Sequence, residues 1–401
     1  MSSNRPAWAF AFTLLAACSE GNEPTSPKPV APPPPAVPVY AVRPPDGKLP
    51  WPHHDPSWDQ ATFNRKFDSL WVVNNFGAYT GTSDRSILYL HNAWDLVLPN
   101  GTPIFAVTAG TVRAEVGGNQ FYRSLMIEDD ATPGFGWAYT HIYNFVVRPG
   151  QKVFQGTRLG SVNFQGLEHI HLSRVRLKPG GSWERFEIEN LRPDDFFAYR
   201  DTEAPTFDGP FRYVRNLTDD AFTAPAGSPF ITVSGDVDIV VGLRDGGEWT
   251  RSKAPFGGIP PGFGNAHSVS RIEYDIANSG GTIDRRVAFD LARTTIPEGT
   301  GAADAALLLT LYQHYESATP RPTGGSNNRF AFYMITNSPG TEPGQNVQAL
   351  DPADASRAWE TADLNSDGSR RYPNGEYTIT VRAFDSKGNV SSRVDHVIVN
   401  N

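Results

Sequence analysis

The chain has 401 residues, of which 39% are hydrophobic and 19% are charged, and its formal net charge at pH 7 is −8. This length is sufficient for two domains that each bury a core of their own. The negative charge gives no electrostatic reason to expect a nucleic-acid partner. With 37 glycines and 34 prolines, the composition favours short strands joined by many turns. The single cysteine excludes an intramolecular disulfide framework and a cysteine-rich zinc site.

The N-terminal segment, residues 1–18, is predicted to be an export signal. Arg5 precedes an apolar stretch, and small residues stand directly before Cys18, which is the order typical of a signal peptide. The sequence Leu-Ala-Ala-Cys that ends at Cys18 resembles the lipobox of bacterial lipoproteins, and this resemblance implies a lipid on that cysteine. Ser19 resembles the pattern of lipoproteins sorted to the outer membrane. We therefore expect a cell-envelope protein that is lipid-anchored in the outer membrane and faces the periplasm. An ordinary secretion signal that contains a cysteine is the alternative.

Residues 19–50 are predicted to form a proline-rich tether. Four consecutive prolines at 32–35 lie in a stretch whose apolar side chains are almost all valine and alanine. Such a sequence favours an extended polyproline II conformation, which at about 3.1 Å per residue reaches on the order of 80 Å. A spacer of this kind suits a membrane-anchored protein that acts on a distant polymer, and a plain disordered leader is equally compatible.

Residues 51–200 are predicted to form an antiparallel β domain. The segment 102–114 reads as two strands bent at Gly110, and glycine and proline turns punctuate the rest. Further strands are predicted at 121–128, 137–142, 158–164 and 170–177. The polar, proline-containing link at 201–205 is the expected boundary of this domain.

Four of the six histidines of this domain lie between positions 91 and 171, and their spacing, together with that of Asp95, suits a metal site. His91 and Asp95 are four positions apart on a predicted turn that enters the sheet. His169 and His171 alternate on a predicted strand, where their side chains share one face about 6.6 Å apart. His91, Asp95 and His171 would supply two nitrogens and one oxygen, with a fourth position left for water. That arrangement is typical of catalytic rather than structural zinc.

These residues lie in sequence blocks that resemble the lysostaphin-like metallopeptidases of family M23. The resemblance covers about residues 70–178, and the blocks occur in the family's order. They are His-Asn-Ala-Trp-Asp at 91–95, Pro-Asn-Gly-Thr-Pro at 99–103, Tyr-Thr-His at 139–141, Arg-Pro-Gly-Gln at 148–151 and His-Ile-His-Leu at 169–172.

The resemblance implies a zinc metalloendopeptidase that hydrolyses peptide bonds in the stems or bridges of peptidoglycan. It implies that His91, Asp95 and His171 bind Zn²⁺. It also implies that His141 and His169 are the catalytic pair, one acting as a base and both stabilising the oxyanion.

The chain departs from the family pattern at two places next to these motifs. Trp94 stands where small or aliphatic residues are usual, and Leu-Glu at 167–168 precedes the second motif where Gly, Ser or Thr are common. Neither change replaces a ligand, but both could alter the groove that receives the substrate.

Residues 205–401 are predicted to form a second β domain, an immunoglobulin-like sandwich. Strands are predicted at 230–243, 270–276 and 329–335, and a short helix at 302–314. The clearest pattern is the alternation at 375–385, followed by a turn and a closing strand at 394–399, which resembles the end of bacterial immunoglobulin-like sandwiches. We expect this domain to position the enzyme or to bind a protein or glycan partner, by analogy alone.

Two other readings of the chain compete with an active peptidase. The first hypothesis is a catalytically silent protein of the same fold that binds peptidoglycan or activates an amidase. The second is a surface adhesion protein in which the C-terminal sandwich carries the function. The remaining histidines, at 53, 54, 267, 314 and 396, lack ligand spacing and are interpreted as core or surface residues. The loop 363–368 resembles the start of a calcium loop, but Asn374 stands at the twelfth position where an acidic residue is expected, which favours an ordinary polar turn.

Overall fold

The computed structural model describes residues 37–401, except for 68–69, 71, 82–87, 118–122, 166–167, 186–187, 192–195, 197–200, 246–266, 298–309, 313–322, 325–329 and 338–355. The predicted signal peptide with Cys18, most of the predicted tether and most of the predicted helix at 302–314 lie outside the described residues. Within the described part of the chain, no helix is long and apolar enough to cross a membrane.

Short strands dominate the first half of the chain, which also has one α-helix, α1 (Gln60–Phe67). Asp59 caps this helix, because its carboxylate accepts a hydrogen bond from Thr62 N at 2.8 Å. A short 3-10 helix spans Trp183–Arg185. The strands are β1 (Val72–Asn74), β2 (Tyr79–Gly81), β3 (Leu88–Leu90), β4 (Trp94–Val97), β5 (Pro103–Phe105), β6 (Gly110–Val116), β7 (Ser124–Asp129), β8 (Phe135–Thr140), β9 (Ile142–Tyr143), β10 (Lys152–Val153), β11 (Arg158–Val162), β12 (His169–Leu177) and β13 (Ile188–Leu191).

Most of these strands form one large antiparallel sheet, in the order β1-β4-β12-β8-β7-β6-β10. Strand β12 runs through its middle and pairs with β4 on one side and with β8 on the other. A smaller sheet has the order β5-β11-β9, and β2 pairs with β3. Side chains of β4 and β12 are largely buried, so polar residues placed on these strands are held away from bulk water.

Strands of the second half form two five-stranded sheets. One has the order β14-β16-β21-β20, with β22 paired to β16, and the other has the order β15-β24-β23-β17-β18. The strands are β14 (Thr206–Arg215), β15 (Ile231–Val233), β16 (Asp236–Arg244), β17 (Arg271–Asn278), β18 (Gly281–Asp290), β19 (Ile296–Pro297), β20 (Thr323–Gly324), β21 (Phe330–Met334), β22 (Trp359–Glu360), β23 (Gly375–Phe384) and β24 (Val390–Val399).

The two sheets of the second half pack through their inner faces. Alternation along β23 buries every second side chain, among them Tyr377 and Ile379, as expected for a strand with one face in a core. Tyr377 meets Trp359 of the opposite sheet at a ring-centroid distance of 5.9 Å, and Phe289 stacks on Tyr333 at 5.5 Å. These contacts make a two-sheet core, and its immunoglobulin-like identity stays a prediction.

The two halves of the chain contact each other directly. Strand β19 of the second half pairs with β13 of the first, and one continuous hydrophobic cluster contains Leu96 and Leu172 together with Tyr333 and Val381. The amide of Asn389 donates a hydrogen bond to the main-chain oxygen of Asp201 at 2.9 Å. Strand pairing, hydrophobic packing and a hydrogen bond therefore cross the boundary predicted at 201–205. That boundary and the separate folding of 205–401 stay predictions.

The prediction of an all-β fold of antiparallel sheets is confirmed, with the parallel pairing of β15 and β24 as an exception. The predicted bend at Gly110 lies at the start of β6. The prediction of a single strand at 230–243 is wrong, because this segment contains two strands, β15 and β16, that belong to different sheets. The chain turns between them at Gly235, whose φ of +69° is in the region that favours glycine.

Candidate metal centre

A row of polar residues crosses five neighbouring strands of the large sheet. Strand register places Asn74 opposite Asp95, Asp95 opposite His171, His171 opposite Thr140, and Thr140 opposite Ser124. Residues directly opposite each other in a sheet project from the same face. The sheet therefore brings one carboxylate and one imidazole side by side although they are 76 positions apart in the sequence.

His91 completes the cluster from the turn that leads into β4. Ligand atoms of His91, Asp95 and His171 all lie within 4.8 Å of one another. His91 Nε2 is 3.0 Å from Asp95 Oδ2, and His171 Nδ1 is 3.0 Å from Asp95 Oδ1. His91 and Asp95 are buried, and the side chain of His171 is 15% exposed, so the cluster faces solvent on the side of His171.

Three asparagines fix the orientation of these groups. The main-chain oxygen of Asn75 lies 3.0 Å from His91 Nδ1, and the side-chain oxygen of Asn92 lies 2.9 Å from His171 Nε2. Asn74 Nδ2 donates a hydrogen bond to Asp95 Oδ2 at 2.8 Å. Outer partners of this kind set the tautomer and the ring orientation of metal-binding histidines.

The electrostatics of the cluster keep its carboxylate ionised. Burial alone would raise the pKa of Asp95. Attraction to His91 and His169 outweighs burial and holds the pKa of that carboxyl well below its usual range. Burial lowers the pKa of His171 despite the attraction of the nearby Asp95 carboxylate, which favours a neutral imidazole.

The donor set fits a divalent cation such as zinc. Since the oxygens of Asn75 and Asn92 only accept hydrogen bonds, a neutral His91 carries its proton on Nδ1 and a neutral His171 carries it on Nε2. The opposite nitrogen of each ring then presents a lone pair to the carboxylate. His91 Nε2 is buried without a hydrogen bond of acceptable geometry, although Asp95 Oδ2 is only 3.0 Å away. Lone pairs that converge in this way repel one another unless they share a cation.

His141 and His169 lie beside this cluster. Their ring centroids are 4.6 Å apart, and His169 Nε2 is 3.6 Å from Asp95 Oδ1. Phe164 contacts both rings, with centroid distances of 4.1 Å and 4.7 Å. His141 follows the last residue of β8 with a left-handed φ of +63°, and its carbonyl accepts a hydrogen bond from Asn163 N at 2.8 Å. The turn directs the ring of His141 toward His169.

At the two departures from the family pattern, the structure explains Trp94 and Glu168, while residue 167 lies outside the described residues. Trp94 precedes Asp95 on β4, so it projects from the other face of the sheet, where its ring lies 5.7 Å from that of Trp51. Glu168 accepts hydrogen bonds from the main-chain and side-chain nitrogens of Asn100 at 2.8 Å and 2.9 Å. Trp94 is thus a core residue, and the hydrogen bonds from Asn100 hold Glu168 in place directly before His169.

The structure therefore brings together all five residues selected from the sequence. The sequence analysis missed Asn74, Asn75 and Asn92. It also missed a second cluster at the junction of the two halves, in which carboxylate oxygens of Asp201, Asp245 and Asp385 lie within 4.8 Å of one another. That second cluster consists of carboxylates alone.

The other regions singled out from the sequence do not join the site. His53, His54 and His267 are buried and His396 is exposed, while residue 314 lies outside the described residues. In the loop 363–368, Asp367 accepts hydrogen bonds from the main chain and hydroxyl of Ser369.

Comparisons with known proteins give one family model and several solved structures. A family model described as Peptidase family M23 matches residues 89–179, the segment that contains all five clustered residues. A search of curated proteins gives no match. Among solved structures, the catalytic domain of lysostaphin from Staphylococcus simulans is 17% identical, with 31% of this chain and 92% of that chain covered and a TM-score of 0.25. The catalytic domain of EnpA from Enterococcus faecalis is 22% identical, with 32% of this chain and 92% of that chain covered and a TM-score of 0.24. A zinc-containing peptidase from Vibrio cholerae is 20% identical, with 32% of this chain and 36% of that chain covered and a TM-score of 0.24.

Proposed function

We propose that the protein is a zinc-dependent endopeptidase that hydrolyses peptide bonds in the stems or bridges of peptidoglycan, and the match of residues 89–179 to the model of peptidase family M23 supports this proposal. The observation that carries this proposal is the convergence of His91 Nε2, Asp95 and His171 Nδ1 within 4.8 Å. The pair His141 and His169 beside them supports catalysis in addition to metal binding.

In the proposed site, His91, Asp95 and His171 would hold the metal. When bound, zinc supplies a Lewis acid that polarises the scissile carbonyl and lowers the pKa of water. The main-chain oxygen of Asn75 holds the proton of His91 on Nδ1, and the side-chain oxygen of Asn92 holds that of His171 on Nε2. His91 Nε2 and His171 Nδ1, which face the metal position, therefore carry no proton. Asn74 stabilises the ionised form of Asp95 by a hydrogen bond.

His141 and His169 would handle the proton and the developing negative charge. One imidazole accepts the proton of the attacking water, and the protonated or N–H form of the other donates a hydrogen bond to the oxyanion. Their 4.6 Å centroid separation allows both rings to reach one substrate carbonyl. Phe164 covers part of both rings, so it excludes water from one side of the pair and strengthens their electrostatic effect.

A digestion experiment tests the proposal. Purified protein should contain about one zinc per chain and should release peptides from purified sacculi, which mass spectrometry then identifies. A chelator should abolish the release, and added zinc should restore it. Zinc-loaded protein that leaves sacculi intact would overturn the enzymatic function in favour of the catalytically silent alternative.

We also propose that a lipid on Cys18 anchors the protein in the outer membrane, and that residues 205–401 bind a protein or glycan partner. The anchor rests on the Leu-Ala-Ala-Cys sequence that ends at Cys18. A Cys18→Ser variant should leave the membrane fraction while the parent stays in it. A parent protein whose mature N-terminus carries no lipid would contradict the anchor.

A further inference from the structure

One short loop links the metal cluster to the second half of the chain. This loop, residues 72–78, comprises β1 and the turn that follows it, and contains Asn74, Asn75 and Gly77. Asn74 and Asn75 contact two of the three candidate ligands, Asp95 and His91. Whatever holds this loop in place therefore holds the outer partners of two ligands at once.

Residues of the second half contact the same loop at three successive points. His267 Nε2 donates a hydrogen bond to the main-chain oxygen of Val72 at 2.9 Å, and Tyr312 OH donates one to the main-chain oxygen of Gly77 at 2.7 Å. Between them, Asn75 makes two hydrogen bonds with the main chain of Ser268. Its Nδ2 donates to Ser268 O and its Oδ1 accepts from Ser268 N, both at 2.8 Å.

The conformation of the loop leaves little freedom for an alternative arrangement. Ala78 N donates to the main-chain oxygen of Asn75 at 3.1 Å, which closes a turn, and Gly77 occupies the third position of that turn with φ +82°. A Cβ atom on Gly77 would lie 2.3 Å from Leu291 Cδ1 of the second half. Gly77 N in turn donates to the main-chain oxygen of His91 at 2.7 Å.

From these contacts we propose that Asn75 is a positioning residue for the metal ligand His91, and that the second half of the chain holds it in place through Ser268. The side chain of Asn75 binds the second half while its carbonyl accepts the Nδ1 proton of His91. The carbonyl thereby directs the Nε2 lone pair toward Asp95. This inference rests on the proposed zinc site and deepens it, because it makes His267, Ser268 and Tyr312 part of the support of the metal centre.

The chain offers a matched control for this role. Asn389 is also a half-buried asparagine whose side-chain amide donates to a main-chain oxygen of a distant segment, that of Asp201 at 2.9 Å. Its side chain makes no hydrogen bond to the five clustered residues in the described part of the chain. Replacing either asparagine by leucine removes a side-chain hydrogen bond to the main chain of a distant segment. Only Asn75→Leu also releases the carbonyl that orients His91.

The experiment measures the zinc dissociation constant by competition with a chelating indicator, and the unfolding temperature of the metal-free protein. Asn75→Leu should weaken zinc binding by about 10–100-fold and alter the visible spectrum of the cobalt-loaded protein. Asn389→Leu should lower the unfolding temperature but leave the zinc dissociation constant within about twofold of the parent's. Asn75→Asp keeps the acceptor for Ser268 N and should bind zinc with intermediate affinity. If Asn75→Leu does not fold, the zinc affinity of Asn75→Asp tests the positioning role of Asn75.

The outcomes separate this inference from the proposed function. If the parent binds zinc and digests sacculi while both Asn75 variants bind zinc as tightly as the parent, the positioning role is overturned and the enzymatic function stands. If Asn389→Leu weakens zinc binding as much as Asn75→Leu does, the effect is one of general stability and the inference fails. A parent that binds no zinc overturns the proposed function and the inference with it.

Discussion

Two pairs of histidines lie in the first half of the chain, all buried except the partly exposed His171, and their surroundings have opposite character. His91 and His171 contact a carboxylate and the oxygens of asparagines. His53 and His54 pack among aromatic rings, with His53 at 5.5 Å from Phe67 and His54 at 4.9 Å from Phe63. Neither ring nitrogen of His53 has a hydrogen-bond partner in the described part of the chain.

Burial alone therefore does not distinguish a ligand from a core residue. In the first pair an outer oxygen fixes the proton on one ring nitrogen, so the other nitrogen can donate its lone pair to a cation. In the second pair the apolar surroundings penalise the charged form. Burial, with smaller contributions from His54 and Lys66, lowers the pKa of His53 to about 3. The first pair is arranged for binding, and the second contributes to packing.

The largest expected effect is the loss of metal and activity when a ligand of the first cluster is removed. His91→Ala, His171→Ala and Asp95→Asn should each lower zinc content far below one per chain and reduce sacculus digestion by at least about 100-fold, because two protein ligands hold zinc poorly. Metal analysis and digestion assays measure both effects. His396→Ala, which replaces an exposed histidine, is the control. Full zinc content in all three variants would show that the metal is held elsewhere.

The next effect separates the two histidines that share strand β12. His141→Ala and His169→Ala should keep zinc and lose activity by about 10²–10⁴-fold, since general acid–base assistance contributes on that scale. His171→Ala should lose both. Zinc analysis beside digestion rates distinguishes these classes of variant. If His169→Ala loses its metal and His171→Ala retains it, the roles of the two residues are reversed.

The smallest effect concerns stability in acid and tests the second pair. An unfolded histidine takes up a proton near pH 6.5, whereas folded His53 resists protonation down to about pH 3. The contribution of His53 to stability is thus present above pH 6.5 and is lost as the pH falls toward 3. In metal-free protein, His53→Phe should lose less stability than the parent between pH 7.5 and pH 4.5, by about 2 kcal/mol.

Denaturant unfolding at the two pH values measures this difference, with His396→Phe as the exposed control. An equal loss of stability in His53→Phe and in the parent would mean that His53 becomes protonated without unfolding. It would also remove the contrast between the apolar pair and the polar cluster.

The sequence was a good guide to the site because its signals are local. The spacing of His91 and Asp95, and the alternation of His169 and His171, follow from a turn and from strand geometry. The family resemblance added His141. Strand class and approximate strand positions could be predicted for the same reason, since alternation and glycine turns are properties of short segments.

The supporting residues could not be found in this way, because their roles depend on distant pairings. Asn74 meets Asp95 only through the register of β1 and β4. Asn75 acts through its main-chain oxygen and through Ser268, which is 193 positions away. Asn92 lies inside the first motif, so its position next to a ligand is a signal that could have been used. The split of the predicted strand at 230–243 was missed because Gly235 was not recognised as a turn.

The left-handed backbone of His141 has a consequence for how the fold balances stability against function. For a residue with a side chain, this conformation costs on the order of 1–2 kcal/mol, a cost that glycine avoids. Position 141 is thus a place where the chain gives up thermodynamic stability to orient an imidazole. Selection for a more heat-resistant protein without regard to activity would favour replacement of this histidine by glycine or asparagine, and the proposed catalytic imidazole would be lost while the three candidate metal ligands stayed in place.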